Sequence, residues 1–333
     1  YALIMAFLLG ISLTFSFLGG QIAVMVTDFF QGIFVNAVFA VMGIFLLLFL
    51  FDWSVIMEAA AMAPADASLI NPLNTSNTDN FNVNYFLIQA FGAVYVFMAW
   101  QGNQGYYGSA RSPHDARMGR LIGQLRPITQ TLPLVLLPMC AWAFLHHADF
   151  AAEAVGAHAA LDAIDSEQIR SQLTVTVATA HFLPPVIAGL FAAVMLAAFI
   201  STHDTYLHSW GSIFIQDVVM PVRQNVLGDS SVLKPESHLK LLKTSIFGVA
   251  VFIFLFSLLF SQQQDILMFF ALTGTIYLGW AGAAIIGGLY WKHGTNAGAW
   301  SAAIIGVILA IGGWYSTYFW EDARLMISGI APE

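Results

Sequence analysis

Apolar residues in this chain come in long unbroken blocks separated by short polar stretches. Residues 1–17 form the first block, closed by Gly19-Gly20, and residues 21–51 form the second. Further blocks cover 83–107, 128–145, 184–219, 240–260, 266–291 and 296–320. A helix needs about 20 predominantly apolar residues to cross a bilayer, so the pattern predicts about eight transmembrane helices, counting the short first block. The predicted class is an all-α polytopic membrane helix bundle, read as a single transmembrane domain over residues 1–333.

The polar interruptions set its topology. Residues 52–82 hold Pro64, Pro72 and an Asn/Thr/Ser cluster and read as a loop. Residues 146–180 carry Asp149, Glu153, Asp162, Asp165 and Glu167, with room for a short amphipathic helix or two. The intervening breaks at 111–126, 220–243 and 292–295 fall together on the other side and hold nine of the eleven Lys and Arg, leaving only Arg170 and Arg324 opposite. The positive-inside rule makes that side cytoplasmic and the 52–82 and 146–180 loops extracytoplasmic. The expected location is a plasma (inner) membrane. With no initiator Met and no charged segment ahead of the first apolar block, a chain beginning further upstream is expected.

Composition agrees with this class. Apolar residues make up 59% and charged residues 9% of the chain, with mean hydropathy +0.76, where a soluble domain carries roughly 25% charged residues. A net charge of −8 and the lack of a basic run argue against a nucleic-acid partner. One cysteine, Cys140, provides neither a disulfide framework nor a cysteine metal site. No nucleophile elbow, phosphate-binding glycine loop, HExxH or paired CxxC occurs, so no enzymatic machinery is expected.

Chemistry concentrates where an apolar block turns polar without leaving the membrane. The stretch Ala197-Ala198-Phe199-Ile200-Ser201-Thr202-His203-Asp204-Thr205-Tyr206-Leu207-His208-Ser209-Trp210-Gly211-Ser212 continues the apolar run from Leu183. At about 100° per residue, Ser201, Asp204, Thr205, His208 and Ser212 share one helix face, with Thr202 and Ser209 at its margin. An intramembrane carboxylate usually faces a protein interior or a wet cavity. Hydroxyls, carbonyls and carboxylates are the ligands of a hard cation. Asp28 is a second such carboxylate, placed toward the cytoplasmic end of its span. Ala99-Trp100-Gln101-Gly102-Asn103-Gln104-Gly105 interleaves glycines with amides, which either ends a span or frees carbonyls at a cavity.

These segments carry a family resemblance. Gly19-Gly20-Gln21-Ile22-Ala23-Val24-Met25-Val26-Thr27-Asp28-Phe29-Phe30-Gln31 resembles a core-helix opening of the sodium:solute symporter family. Trp100-Gln101-Gly102-Asn103-Gln104, Ala197-Ala198-Phe199-Ile200-Ser201-Thr202 and Gly288-Leu289-Tyr290-Trp291-Lys292 with Gly298-Ala299 are similar to its pattern in the same order. The resemblance implies a partial leucine-transporter-like fold of two inverted five-helix repeats, beginning in the fourth core helix and lacking the N-terminal helices. It implies a sodium site at the Ala198 carbonyl and the Ser201 and Thr202 side chains. It further implies a second ion or an exit path at Asp28, Asp204 and Thr205, and a solute site lined by Val96, Ala99, Trp100, Gln101 and Phe270. An apolar lining weakens a sugar assignment, since an unpaired buried hydroxyl costs about 1–3 kcal/mol, and leaves organic acids, amino acids and other small solutes open.

The function expected is sodium-coupled symport of a small organic solute across a lipid bilayer by alternating access, with Na+ as the coupling ion. Two alternatives stand beside it: a transporter-like solute sensor domain, and a proton-coupled carrier in which Asp204 and His208 exchange protons. An intramembrane enzyme using His and Asp is a third, weaker reading.

Overall fold

The structure, a computed structural model, describes residues 2–64, 66–71, 73–75, 83–100, 102, 104–228, 231, 233–260 and 266–319. Gln101, the turn at 261–264 and Arg324, which the sequence reading used, lie outside the described residues. The described residues form helices and connections only: α1 (Ala2–Phe45), α2 (Trp53–Ala61), α3 (Val83–Ala99), α4 (Gln104–Gly108), α5 (Pro113–Gly123), α6 (Arg126–His146), α7 (Val155–Asp162), α8 (Glu167–Phe182), α9 (Pro185–Ile213), α10 (Met220–Asn225), α11 (Pro235–Leu259), α12 (Ile266–Tyr290) and α13 (Asn296–Phe319). A π-helical turn at Leu46–Leu50 extends α1, and another at Phe214–Val219 joins α9 to α10.

Among the described residues, six helical stretches are long and apolar enough to cross a membrane, and a shorter apolar helix covers Tyr85–Val96. The first stretch, Ala2–Leu50, has 49 residues and would measure about 73 Å if straight, against a hydrocarbon core of about 30 Å. It breaks at Gly20, whose φ of 57° and ψ of −155° suit a residue without Cβ. The eight predicted crossings are thus six such stretches, with the first broken in two, plus the short α3. Trp300, Ile304, Ile308 and Leu309 of α13 are exposed, as expected of a face turned to lipid tails. The protein is an integral, multi-pass membrane protein.

One loop reading is corrected and the other holds. Residues 52–82 are not loop throughout, because α2 buries Ile56, Ala59 and Ala60, an i, i+3, i+4 set. The acidic 146–180 segment holds two helices, as expected: α7 and most of the sixteen-residue α8.

The helices sort into two compact units, interleaved in sequence. One holds the described residues of 1–50, 101–138 and 182–261; the other holds those of 51–100, 139–181 and 262–333. In the first unit, Leu9 ahead of the Gly20 break packs with Leu207 of α9 and with Ile246 and Ala250 of α11. Beyond the break, Val35 and Val38 pack on Val194 of α9. Thr129 of α6 donates to the Asn36 side chain, and Gly43 lies under Leu132.

At Gly211 of α9 the backbone of α11 comes close. A Cβ there would meet Ile246 Cγ1 at 2.5 Å and the Ile246 backbone N and Cα at 3.2 and 3.3 Å. The Ser245 hydroxyl donates to the Gly211 carbonyl across the same contact. Gly211→Ala should therefore push α9 and α11 apart and cost about 1–3 kcal/mol, read as a lower thermal unfolding midpoint in detergent. An unchanged midpoint would mean that the two helices are not held at this distance.

In the second unit, Gly282 of α12 lies against the Tyr95 ring of α3, and Gly306 of α13 against Trp280 of α12. Small residues at such crossings are the usual means of close helix packing in membranes. Trp142 donates its indole N–H to the Ala59 carbonyl, fixing α2 on α6. Phe51, Phe144 and Phe150 pack nearby, the Phe150 ring lying 5.0 Å from Phe51 and 5.8 Å from Phe144.

Candidate functional site

The first unit brings together three segments far apart in sequence. Asp28 is on α1, eight residues past the Gly20 break; Tyr106 is on α4; Ser201 and Thr205 are one turn apart on α9. The pairings Asp28 with Ser201, and Val35 and Val38 with Val194, show that α1 beyond Gly20 runs antiparallel to α9. This direction lets a carboxylate on one helix meet two hydroxyls at i and i+4 on the other.

Ser201 Oγ donates to Asp28 Oδ1 at 2.6 Å, and Thr205 Oγ1 donates to Asp28 Oδ2 at 3.0 Å. Tyr106 donates its phenol to the same Oδ2, and its oxygen lies 2.8 Å from Thr205 Oγ1. Asp28 Oδ2, Tyr106 Oη and Thr205 Oγ1 therefore form a triangle of close oxygens. With Asp28 ionised, two hydroxyl hydrogens serve its three edges, so one edge always lacks a hydrogen. A small cation beside the triangle would offset that lone-pair repulsion, and every oxygen present suits a hard ion.

The triangle borders a cavity of about 110 Å³ within the same unit. Gln21, Tyr106, Thr205, His208, Ser209 and Ser212 contribute its polar lining. At about 30 Å³ per water, it has room for a few waters, or for an ion with part of its hydration shell. The helix break after α3 feeds this region: Ser209 Oγ donates to the Gly102 carbonyl at 3.1 Å, so the expected freed carbonyl meets protein here.

Not every predicted site residue joins this cluster. The single predicted face of α9 divides into two flanks. Ser201, Thr205, His208 and Ser212 belong to the flank that meets Asp28 and the cavity. Asp204 instead shares with Leu207 and Gly211 the buried flank of α9, the one packed on Ile246 of α11 and Leu9 of α1. Its side chain is fully buried, and among the described residues neither carboxylate oxygen has a hydrogen-bond partner. Its backbone carbonyl accepts from Ser16 Oγ at 3.3 Å.

Ala198 and Thr202 lie on a third, exposed flank. The helix leaves the Ala198 carbonyl a second lone pair beyond its backbone bond. His203 stacks on Phe199 at 3.9 Å and bonds its carbonyl, which gives it a local role. In the second unit, Ala99 is fully buried, whereas Val96, Trp100 and Phe270 are exposed, so Ala99 backs any solute lining and does not form its surface. Tyr106 was not anticipated; it lies in a Tyr-Tyr pair at the end of an apolar block, a position that also fits a membrane-interface anchor.

The sodium:solute symporter family model matches residues 1–306. The chain belongs to the sodium:solute symporter family. Two curated members of comparable similarity are the sodium/proline symporter of Staphylococcus aureus, 23% identical over 304 residues, and the sodium/pantothenate symporter of Haemophilus influenzae, 26% identical over 316 residues. These matches cover 89% and 88% of this chain but 52% and 54% of the relatives. The chain thus spans about half the length of the curated symporters it matches, and the family match takes in both Asp28 on α1 and the hydroxyl-bearing turn of α9.

Proposed function

We propose that the protein containing this chain is a sodium-coupled symporter that moves a small organic solute through a plasma membrane by alternating access. The observation that carries this reading is the convergence of the Ser201, Thr205 and Tyr106 hydroxyls on Asp28 beside a polar cavity. Sodium is held at the Ala198 carbonyl, Ser201 and Thr202, and passes to or shares with Asp28 and Thr205, since Ser201 of the first group donates to Asp28 of the second. Asp204, one turn from Ser201 and buried without a partner among the described residues, adds negative potential to the same region. Ion binding that ties α9 to its neighbours favours one conformation, and release favours the other.

Val96, Trp100, Gln101 and Phe270 remain the proposed solute-facing residues. The names of the two relatives point to proline and pantothenate, both small carboxylates, which supports an organic acid or amino acid over a sugar.

The test is uptake of a panel of small carboxylates and amino acids into proteoliposomes, driven separately by sodium and proton gradients. A sodium gradient alone should drive accumulation of at least one solute. Accumulation driven only by protons would overturn the choice of ion. In the same assay, Ser201→Ala combined with Thr202→Ala should raise the sodium concentration for half-maximal uptake by on the order of a hundredfold, since two lost ligand contacts to a charge at about 1.5 kcal/mol each come to about 3 kcal/mol. Unchanged sodium dependence would remove these two hydroxyls from the ion site.

A further inference from the structure

Away from the Asp28 cluster, the first unit carries an open cavity of about 540 Å³ between the end of α1 ahead of Gly20 and the beginning of α11. Phe17, Leu239 and Phe247 supply apolar walls, and Lys240, Lys243 and Glu236 supply charge. Glu236, Lys240, Lys243 and Phe247 follow i, i+4, i+7 and i+11, so one stripe of α11 passes from charged to aromatic as it enters its apolar block. Among the described residues neither lysine forms an ion pair, and Glu236, one turn from Lys240, does not close on it. The cavity therefore has a net positive rim and an aromatic floor, at the membrane boundary to which most of the Lys and Arg of the chain belong.

We propose that this cavity is a binding site for an anionic phospholipid of that leaflet. The lipid phosphate lies between the Lys240 and Lys243 ammonium groups, and the first part of an acyl chain lies on Phe17, Leu239 and Phe247. Two features of the lining select this ligand. Lysines at a helix end reach naturally to phosphate depth along their apolar stems. A free phosphate would use the lysines alone and leave the three apolar walls in water, whereas a neutral lipid would use the walls and leave both ammonium groups without a partner. Glu236 on the same stripe weakens the site and tunes it against a more highly charged head group.

The proposal is tested on the protein as it occurs, purified and stripped of lipid. Native mass spectrometry reads retention of added phosphatidylglycerol, phosphatidylcholine or glycerol phosphate. Phosphatidylglycerol should be retained in preference to the other two. Lys240→Gln with Lys243→Gln should weaken retention by on the order of tenfold, since each lysine near an anionic membrane surface contributes a several-fold factor. Lys240→Arg with Lys243→Arg should keep retention, and Glu236→Gln should strengthen it. The arginine pair also controls for folding, because a gross defect would appear in both double variants. Equal retention of phosphatidylcholine would overturn the charge assignment, and glycerol phosphate retained as well as the lipid would reduce the cavity to a phosphate site. Retention unchanged in the glutamine pair would place the lipid elsewhere.

Discussion

Asp28→Asn is expected to abolish sodium-driven uptake at ordinary sodium concentrations and to raise the sodium requirement by on the order of a hundredfold. The carboxylate accepts from Ser201, Thr205 and Tyr106, three donors that no neutral acceptor satisfies equally. An amide offers one oxygen, and its NH2 group must then face at least one hydroxyl that was donating. Each hydrogen bond to a charged group is worth about 1.5–3 kcal/mol, so losing the charge and misaligning even one or two partners reaches the hundredfold range. The measurement is initial uptake rate against sodium in proteoliposomes. Full activity with unshifted sodium dependence would show that the cluster is a structural helix-to-helix clasp. Asp28→Glu helps to separate the two roles, because it keeps the charge while moving the carboxylate by one methylene, and it should retain weak sodium dependence.

The second large effect concerns Asp204. Its carboxylate is fully enclosed on the flank of α9 that packs against Leu9 and Ile246, and its oxygens receive no hydrogen bond from the described residues. Leaving a buried polar group unsatisfied costs about 1–3 kcal/mol, and more when it is charged. Asp204→Asn keeps the shape and removes the charge, so it should raise the thermal unfolding midpoint in sodium-free buffer by the equivalent of about 1–3 kcal/mol. Added sodium should raise the midpoint of the native protein, because a ligand that binds only the folded state stabilises it, and should raise that of Asp204→Asn less. A destabilised variant with the full sodium response would show that Asp204 is held by partners outside the described residues and takes no part in ion binding.

The membrane class, the spans and the break at Gly19-Gly20 were legible because they rest on local quantities: block hydropathy, block length and two adjacent glycines. The second carboxylate, Asp28, and its placement in a span were equally local. What the sequence could not decide was which neighbour each flank of α9 would meet. Asp204 stands only about 60° from Ser201 on a helical wheel, so a single hydroxyl-bearing face was a reasonable reading. The division arises because α1 contacts α9 on both sides of its Gly20 break, the part ahead of it near Leu207 and Asp204, the part beyond it near Ser201 and Val194.

Tyr106 was missed for a related reason. Its partners Asp28 and Thr205 lie 78 and 99 residues away, and no periodicity within α4 signals a contact of that range. The α2 helix, by contrast, was readable: Ile56, Ala59 and Ala60 show helical spacing, but the prolines and amides that follow drew the whole segment into a loop. Tyr106 shows the limit most clearly, because its surroundings depend on packing between distant segments.

Direct sodium binding tests the account at its centre. Equilibrium binding of radioactive sodium to the purified protein should be saturable, resistant to excess potassium, and largely lost when Ser201→Ala and Thr205→Val remove both α9 hydroxyls that Asp28 accepts from. Binding of undiminished affinity in that double variant would contradict it.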